Sequence, residues 1–359
     1  MAFIIPAACV RQDAMNRSAN ILITGAGGCI GSALAESFAN SGARNLILLD
    51  HAEHELHEIG LALSAVEGCA PHVAVLGDIC DAALLAEVFK EHRPDVIYHA
   101  AAFKHVAMME ANPLAAIRNN VMGTMTLARV AREYESAQLV MVSTDKAVNP
   151  RSVMGVSKRI AELVLLRWNG IRTQMKAVRL GNVLGSRGSV APMFRQQIAR
   201  GGPVTVTHPD ASRYFLTLRE VVELILATAT VEGGVFVPEP SEPVKIVDLA
   251  RGMIRKAGFE PDVGMPITFT KLFPGEKLAE EMIFASETVE ATGDSRLQRV
   301  RGAAIAAGEF DIKIARLVES VELRDLPALV ATLVRIVPEY VPSELLLGLA
   351  KPLVRAATK

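Results

Sequence analysis

Six short apolar runs, separated by longer helical patterns, constrain this chain more than any other feature. Residues 21–24, 45–49, 72–76, 95–99, 138–143 and 174–179 have strand composition. Helix patterns fill the gaps at 30–41, 53–66, 82–92, 113–134 and 153–168. Parallel strands need a crossover, and a helix usually supplies it, so this alternation predicts a parallel sheet with helices on both faces. The runs are continuously apolar, as expected of strands buried on both sides. The predicted class is α/β, a Rossmann-like doubly wound parallel sheet.

After Gly181 the rhythm changes. Loops rich in Gly, Pro and Ser appear at 185–192, 201–209 and 232–243, with helices at 218–230 and 246–256. The expected organisation is an extension at 1–19, a dinucleotide-binding domain at 20–181, and a smaller substrate-binding lobe at 182–325 with returns to the core. An apolar helical tail follows at 326–359. Ligands in such folds sit at the carboxyl ends of the strands, where the lobe would cap them.

Composition removes several function classes. Of 359 residues, 50% are hydrophobic and 21% charged, with a formal charge of -1. A chain of this length buries roughly three quarters of its unfolded surface. No basic surplus points to nucleic acid. Cys9, Cys29, Cys69 and Cys80 show no zinc spacing, so reduced thiols, no metal and a cytoplasmic location are expected. The apolar start is too short for a span, contains Pro6 and lacks the basic beginning of a signal peptide. Arg335, Pro338, Glu339, Pro342 and Glu344 interrupt the tail. It is expected to be amphipathic helix packed on the body, with membrane-surface attachment as the other reading and no transmembrane segment.

The first strand runs into Thr24-Gly25-Ala26-Gly27-Gly28-Cys29-Ile30-Gly31. Gly25 suits a tight turn, Gly28 admits a pyrophosphate close to the backbone, and Gly31 lets the helix pack on the sheet. The N–H groups opening that helix, near Cys29 and Ile30, favour an anion. Asp50 closes the second strand, 19 residues after Gly31. A carboxylate there suits ribose hydroxyls and repels a 2′-phosphate, which favours NAD over NADP; an exposed strand-end Asp is the alternative. Asp78 and Ile79, after the third strand, are expected beside the adenine. The small Ala100, Ala101 and Ala102, after the fourth, leave room for the cofactor.

The fifth strand ends Ser143-Thr144-Asp145-Lys146-Ala147-Val148-Asn149-Pro150, and Met154-Gly155-Val156-Ser157-Lys158 follows. With the glycine loop, this pattern resembles the extended short-chain dehydrogenase/reductase superfamily. The longer string is similar to its polysaccharide-biosynthesis branch, the soluble UDP-N-acetylglucosamine 4,6-dehydratases and their relatives. Phe103-Lys104-His105-Val106, the run from Arg179 to Val190, Arg213-Tyr214-Phe215, Glu242-Pro243-Val244-Lys245-Ile246 and Pro274-Gly275-Glu276-Lys277 strengthen the resemblance, which covers about residues 20–285.

One position departs from the superfamily. Its usual acid/base is a tyrosine four residues before the helix lysine, and Met154 stands there. The residues four beyond Tyr98, Tyr134, Tyr214 and Tyr340 are Ala102, Gln138, Leu218 and Glu344, so no such pair exists anywhere. A thioether transfers no proton. Some dehydratases of this branch share the methionine and rely on an Asp-Lys pair.

The resemblance implies oxidation at C4 of a UDP-sugar, loss of water across C5 and C6, and return of hydride to C6 by the same NAD. It makes Asp145 the acid at the leaving hydroxyl and Lys146 the base at C5. That requires a raised pKa for Asp145 and a lowered one for Lys146. Thr144 would bond the C4 oxygen and Lys158 the nicotinamide ribose. The group accepting the C4 proton stays open, and the Asp-Lys pair could be a simple ion pair. On the substrate side Arg213, then Arg187, suit the diphosphate. Asn182 would contact the sugar diphosphate, Val190 and Pro192 the uracil, Thr205 and Val206 its flank, and Glu276 the ribose. Arg213 and Glu276 could equally form a surface ion pair, and Lys104 could face substrate or solvent. Asn120 is expected to brace the neighbouring strand. A 4-epimerase or C5-inverting dehydratase would use almost the same residues, and a non-catalytic NAD-binding regulator is the rival from another class. A homo-oligomer is expected, pairing helices 82–92 and 113–134.

Overall fold

Strand β1 (Asn20–Thr24) has no polar face. Ile21 and Ile23 are buried on one side of the sheet and Leu22 on the other. That is the packing its continuous apolar run predicts. The computed structural model describes residues 18–186, 188–302 and 307–351. Expectations for 1–17, including Cys9, and for Arg187 and 352–359 lie outside the described residues.

In the first half, helices separate every pair of successive strands. After β1 come α1 (Cys29–Phe38), β2 (Asn45–Asp50), α2 (Glu53–Ser64), β3 (His72–Leu76), α3 (Ala82–His92) and β4 (Val96–His99). Then follow α4 (Val106–Ala111), α5 (Pro113–Ile117), α6 (Thr124–Glu133), β5 (Gln138–Thr144), α7 (Val153–Trp168) and β6 (Gln174–Leu180). The second half contributes β7 (Asn182–Val183), α8 (Val190–Ala199), β8 (Val204–Val206), β9 (Ser212–Arg213), β10 (Phe215–Leu216) and α9 (Leu218–Ala227). It continues with β11 (Gly234–Pro238), β12 (Val244–Lys245), α10 (Ile246–Lys256), β13 (Ile267–Phe269), β14 (Thr288–Ala291) and β15 (Leu297–Arg301). Three helices end it: α11 (Ala307–Glu322), α12 (Leu326–Ile336) and α13 (Glu344–Leu349).

The main sheet has nine strands in the order β14-β15-β11-β6-β5-β4-β1-β2-β3. Strands β1 to β6 and β11 are parallel, and β15 and β14 extend the far edge antiparallel. Strand order reverses between β1 and β4, which opens a crevice at their carboxyl ends. On one face Leu34, Phe38, Leu56 and Ile225 pack on the sheet; on the other, Leu85, Phe89, Leu127 and Leu165 do. Burying each such side chain contributes roughly 1.5–3 kcal/mol. Three short pairs, β10-β7, β12-β9 and β13-β8, build a second lobe around Phe194, Val206, Ile246 and Ile254.

The helix expected over 113–134 is interrupted. Arg118–Gly123 forms a wider π-helical turn between α5 and α6. Asn120 explains it: its amide accepts from Phe103 N–H at 2.8 Å and donates to Phe103 C=O at 3.0 Å and Ser157 Oγ at 2.9 Å. Its own carbonyl takes the Thr124 hydroxyl at 2.8 Å. Such turns are rare and concentrate near functional sites. Helices α3 and α6 share one core cluster within the chain. The apolar tail is two helices, because Pro338 and Pro342 cannot continue α12. With α11, these helices cover Met109, Ile117 and Ile160. Among the described residues no helix is long and apolar enough to cross a membrane.

Candidate active site

The glycine loop is pinned from two sides. Gly25 N–H donates to Leu49 C=O at 2.8 Å, and Gly27 N–H donates to Asp50 Oδ2 at 2.9 Å. Gly25 has φ +70°, and a Cβ there would stand 2.6 Å from Ala101 N. A Cβ at Gly31 would collide with the Gly25 carbonyl oxygen. Helix α1 begins at Gly28 with no side-chain cap, so its first N–H groups remain available to an anion. A backbone cradle that side chains would fill, ending in uncapped N–H groups, fits a dinucleotide.

The expected cofactor residues fall mostly into connected clefts. Gly25, Gly28, Cys29, Ile30, Gly31 and Lys158 line one of about 460 Å³. Asp50, Ile79, Ala100, Ala101 and Ala102 line a neighbouring one of about 330 Å³. Asp78 does not join them. It is exposed, and one of its carboxylate oxygens accepts the Cys80 N–H at 2.8 Å. Lys104 is exposed on the wall shared by both clefts. Asp50 carries a second duty that its position in the sequence did not suggest. Its two oxygens hold Gly27 N–H and, at 3.0 Å, Ala52 N–H.

A third cavity, about 620 Å³, lies under the second lobe. Val190, Thr205, Arg213 and Glu276 line it, and Asn182 lines both it and the glycine-loop cleft. Arg213 is 5% exposed, so it is no surface residue. Its guanidinium donates to Glu276 Oε1 at 2.9 Å and to the Ser212, Leu278 and Lys277 carbonyls. Glu276 also accepts from Thr207 Oγ1 at 3.1 Å and Phe273 N–H at 3.0 Å. Thr205 is held by Gln197 through its hydroxyl and its N–H.

The end of β5 and the turn after it bring Thr144 and Lys146 to the wall of the glycine-loop cleft, with Asp145 buried beside them. Thr144 Oγ1 donates to Asp145 Oδ1 at 2.8 Å. Lys146 Nζ donates to the same oxygen and to Asn182 Oδ1, each at 3.0 Å. Asp145 is fully buried, and its Oδ2 has no hydrogen-bond partner among the described residues. Lys146 differs from expectation. Burial pushes its pKa down, but the carboxylates of Asp145 and Glu280 outweigh burial, and the net shift is upward. The resting lysine is an ammonium, not the free base that a lowered pKa would give.

Helix α7 carries the other two residues of interest. Met154 is 4% exposed and lines the glycine-loop cleft. One turn on, burial pulls Lys158 down to about 8, against the partial support of Glu162. Below it His99 bridges Thr24 Oγ1 and Thr124 Oγ1, each at 2.8 Å. Burial and the charge of Lys158 push its imidazole down to about 3, so it stays neutral.

Two structural features were missed in the sequence. Glu280 is a buried carboxylate 3.6 Å from Lys146 Nζ. Glu162 is fully buried and accepts from Ser143 Oγ at 2.6 Å and Arg179 Nε at 3.0 Å, while Arg179 reaches Glu287 at 2.6 Å. Burial pushes Glu162 up, but Arg179 and Arg159 outweigh it, so it stays ionised. This network ties the end of β5 to α7. Its signal was Arg179, a charge within a buried strand that also carries Lys176. Among the described residues no cluster of side chains could hold a metal ion.

A doubly wound sheet, a glycine cradle, a strand-end Thr-Asp-Lys and a helix lysine together define an extended short-chain dehydrogenase/reductase. The model of the family described as polysaccharide biosynthesis protein matches residues 21–301, and the chain belongs to that family. It is 48% identical to the capsular polysaccharide biosynthesis protein CapD of Staphylococcus aureus, over 78% of this chain and 47% of that one. The chain thus spans about half the length of that relative. It is 30% identical to the inverting UDP-N-acetylglucosamine 4,6-dehydratase of Campylobacter jejuni, over 75% of this chain and 78% of the relative. Among solved structures, Pen from Bacillus thuringiensis superposes with a TM-score of 0.73 at 25% identity, covering 81% of this chain and 90% of that one.

Proposed function

We propose that the chain is an NAD-dependent nucleotide-sugar 4,6-dehydratase acting on UDP-N-acetylglucosamine or a close UDP-hexosamine, for polysaccharide or glycan biosynthesis. The observation that carries this reading is the position of Asp145 and Lys146. Lys146 lines the glycine-loop cleft with Asp145 buried against it, Lys146 bonds Asn182, which lines both cavities, and a methionine occupies the place of a tyrosine acid/base.

The glycine loop, Asp50 and Lys158 would hold the dinucleotide, whose chemistry is to take a hydride from C4 and give it back at C6. Arg213 and Asn182 would hold the diphosphate, and Thr144 would orient the C4 oxygen. The elimination needs a base at C5 and an acid at the C6 hydroxyl, each worth roughly 10²–10⁴-fold. The pair supplies both from one internal transfer. A proton moved from Lys146 Nζ to Asp145 across their 3.0 Å contact leaves a neutral amine and a carboxylic acid. The amine then takes the C5 proton, and the acid gives its proton to the departing hydroxyl, which leaves as water. The net charge of the pair is unchanged. Met154 contributes shape and excludes water.

Substrate deuterated at C4 tests the sequence of events. The label is expected at C6 of the dehydrated product. Loss of the label to solvent contradicts the internal hydride return.

A further inference from the structure

Lys146 has a second carboxylate, and it comes from a distant part of the chain. Glu280 Oε1 lies 3.6 Å from Lys146 Nζ, 6% of the residue is exposed, and it lines neither the glycine-loop cleft nor the second-lobe cavity. It therefore acts on the site only through neighbours. Arg213 Nε stands 3.9 Å from Oε1 and Lys277 Nζ 3.5 Å from Oε2, while Oε2 is buried without a hydrogen bond. Lys277 is anchored independently by the Val148 carbonyl at 2.7 Å, which fixes this segment against the turn that carries Lys146.

We propose that Glu280 is a positioning residue for the Asp145–Lys146 pair: it holds the lysine ammonium in place and strengthens the lysine's hold on its proton. The groups facing Lys146 are Asp145 from its own turn, Asn182 from β7, Glu280, and Arg213 from β9 as an opposing cation. Asn182 is neutral. The proton stays on nitrogen because two carboxylates outweigh the burial of the site and the Arg213 guanidinium. With Glu280 neutralised, Lys146 loses one of the two carboxylates that hold its ammonium. Glu280 also touches Arg213, so an anion arriving at the second-lobe cavity and the charge of Lys146 share one carboxylate. The inference rests on the dehydratase reading only in giving that proton a use.

Competitive acetylation of the full chain with isotope-coded acetic anhydride, read at the Lys146 peptide from about pH 7 to 12, follows the amine without requiring turnover. Opposite charges at this range move a pKa by about 1–3 units. Glu280→Gln is expected to move the Lys146 midpoint down by about one unit. An unchanged midpoint overturns the proposal. If that variant does not fold, Glu280→Asp carries the test. Its shorter side chain lengthens the contact, so the midpoint still falls, and an unchanged midpoint overturns the proposal equally. Failure of the dehydratase reading shows separately, as absence of dehydrated sugar from the unaltered protein.

Discussion

Asp145 and Lys146 are adjacent in the chain, yet they close a 3.0 Å ion pair that engages only one carboxylate oxygen. A short 3₁₀ turn, 145–147, makes this possible by folding the two side chains toward each other at the end of β5. Asp145→Asn removes the acid and keeps the shape. Its expected effect is a fall in kcat of about 10²–10⁴ with little change in KM, measured by steady-state kinetics. A change confined to KM would place Asp145 in binding alone.

Met154→Leu is expected to leave kcat within about fivefold, because a swap of similar volume costs under about 1.5 kcal/mol and a thioether moves no proton. A loss of 100-fold or more would mean that the sulfur participates. Met154→Tyr would put a phenol one turn from Lys158 and is expected to add a plain C4 oxidation product, detectable by mass.

In the glycine cradle a Cβ at either Gly25 or Gly31 collides with backbone, most tightly at Gly31. Gly31→Ala is expected to abolish dinucleotide binding by fluorescence titration and to lower Tm, since the Gly25 carbonyl must move. Retained binding would argue that the cleft holds its ligand elsewhere.

His99 gives the fold an acid limit. Its folded pKa lies near 3, below the ordinary 6.5, so its contribution to stability is whole above about pH 6.5 and is lost as pH falls toward 3. Where only the unfolded chain binds this proton, stability should drop about 1.4 kcal/mol per pH unit from this group. His99→Gln is expected to remove that share of the slope in urea melts run from pH 6.5 to 4. An unchanged slope would assign the acid limit to other groups.

Arg213→Lys tests the anion seat. A lysine cannot reproduce the planar fork that meets Glu276 and three carbonyls, so UDP affinity should fall about tenfold or more by calorimetry. Equal affinity would move the diphosphate away from Arg213.

The sheet was legible because its strands are apolar on both faces and helical patterns separate them. The glycine loop and Asp50 were legible because their spacing is local. What the sequence hid is what distant segments do to one another. Asn120 opens a π-helical turn because Phe103 and Ser157 take its amide, and nothing near position 120 announces that. The charge of Lys146 depends on Glu280, more than a hundred residues away in the chain, so the lowered pKa expected from burial alone gave way to a raised one.

The central claim is water loss without an external reductant. The purified chain, supplied with NAD and UDP-N-acetylglucosamine and no other redox partner, is analysed by mass spectrometry. The account predicts a nucleotide sugar lighter by one water. A sugar of unchanged mass, from protein that holds the dinucleotide, would contradict it.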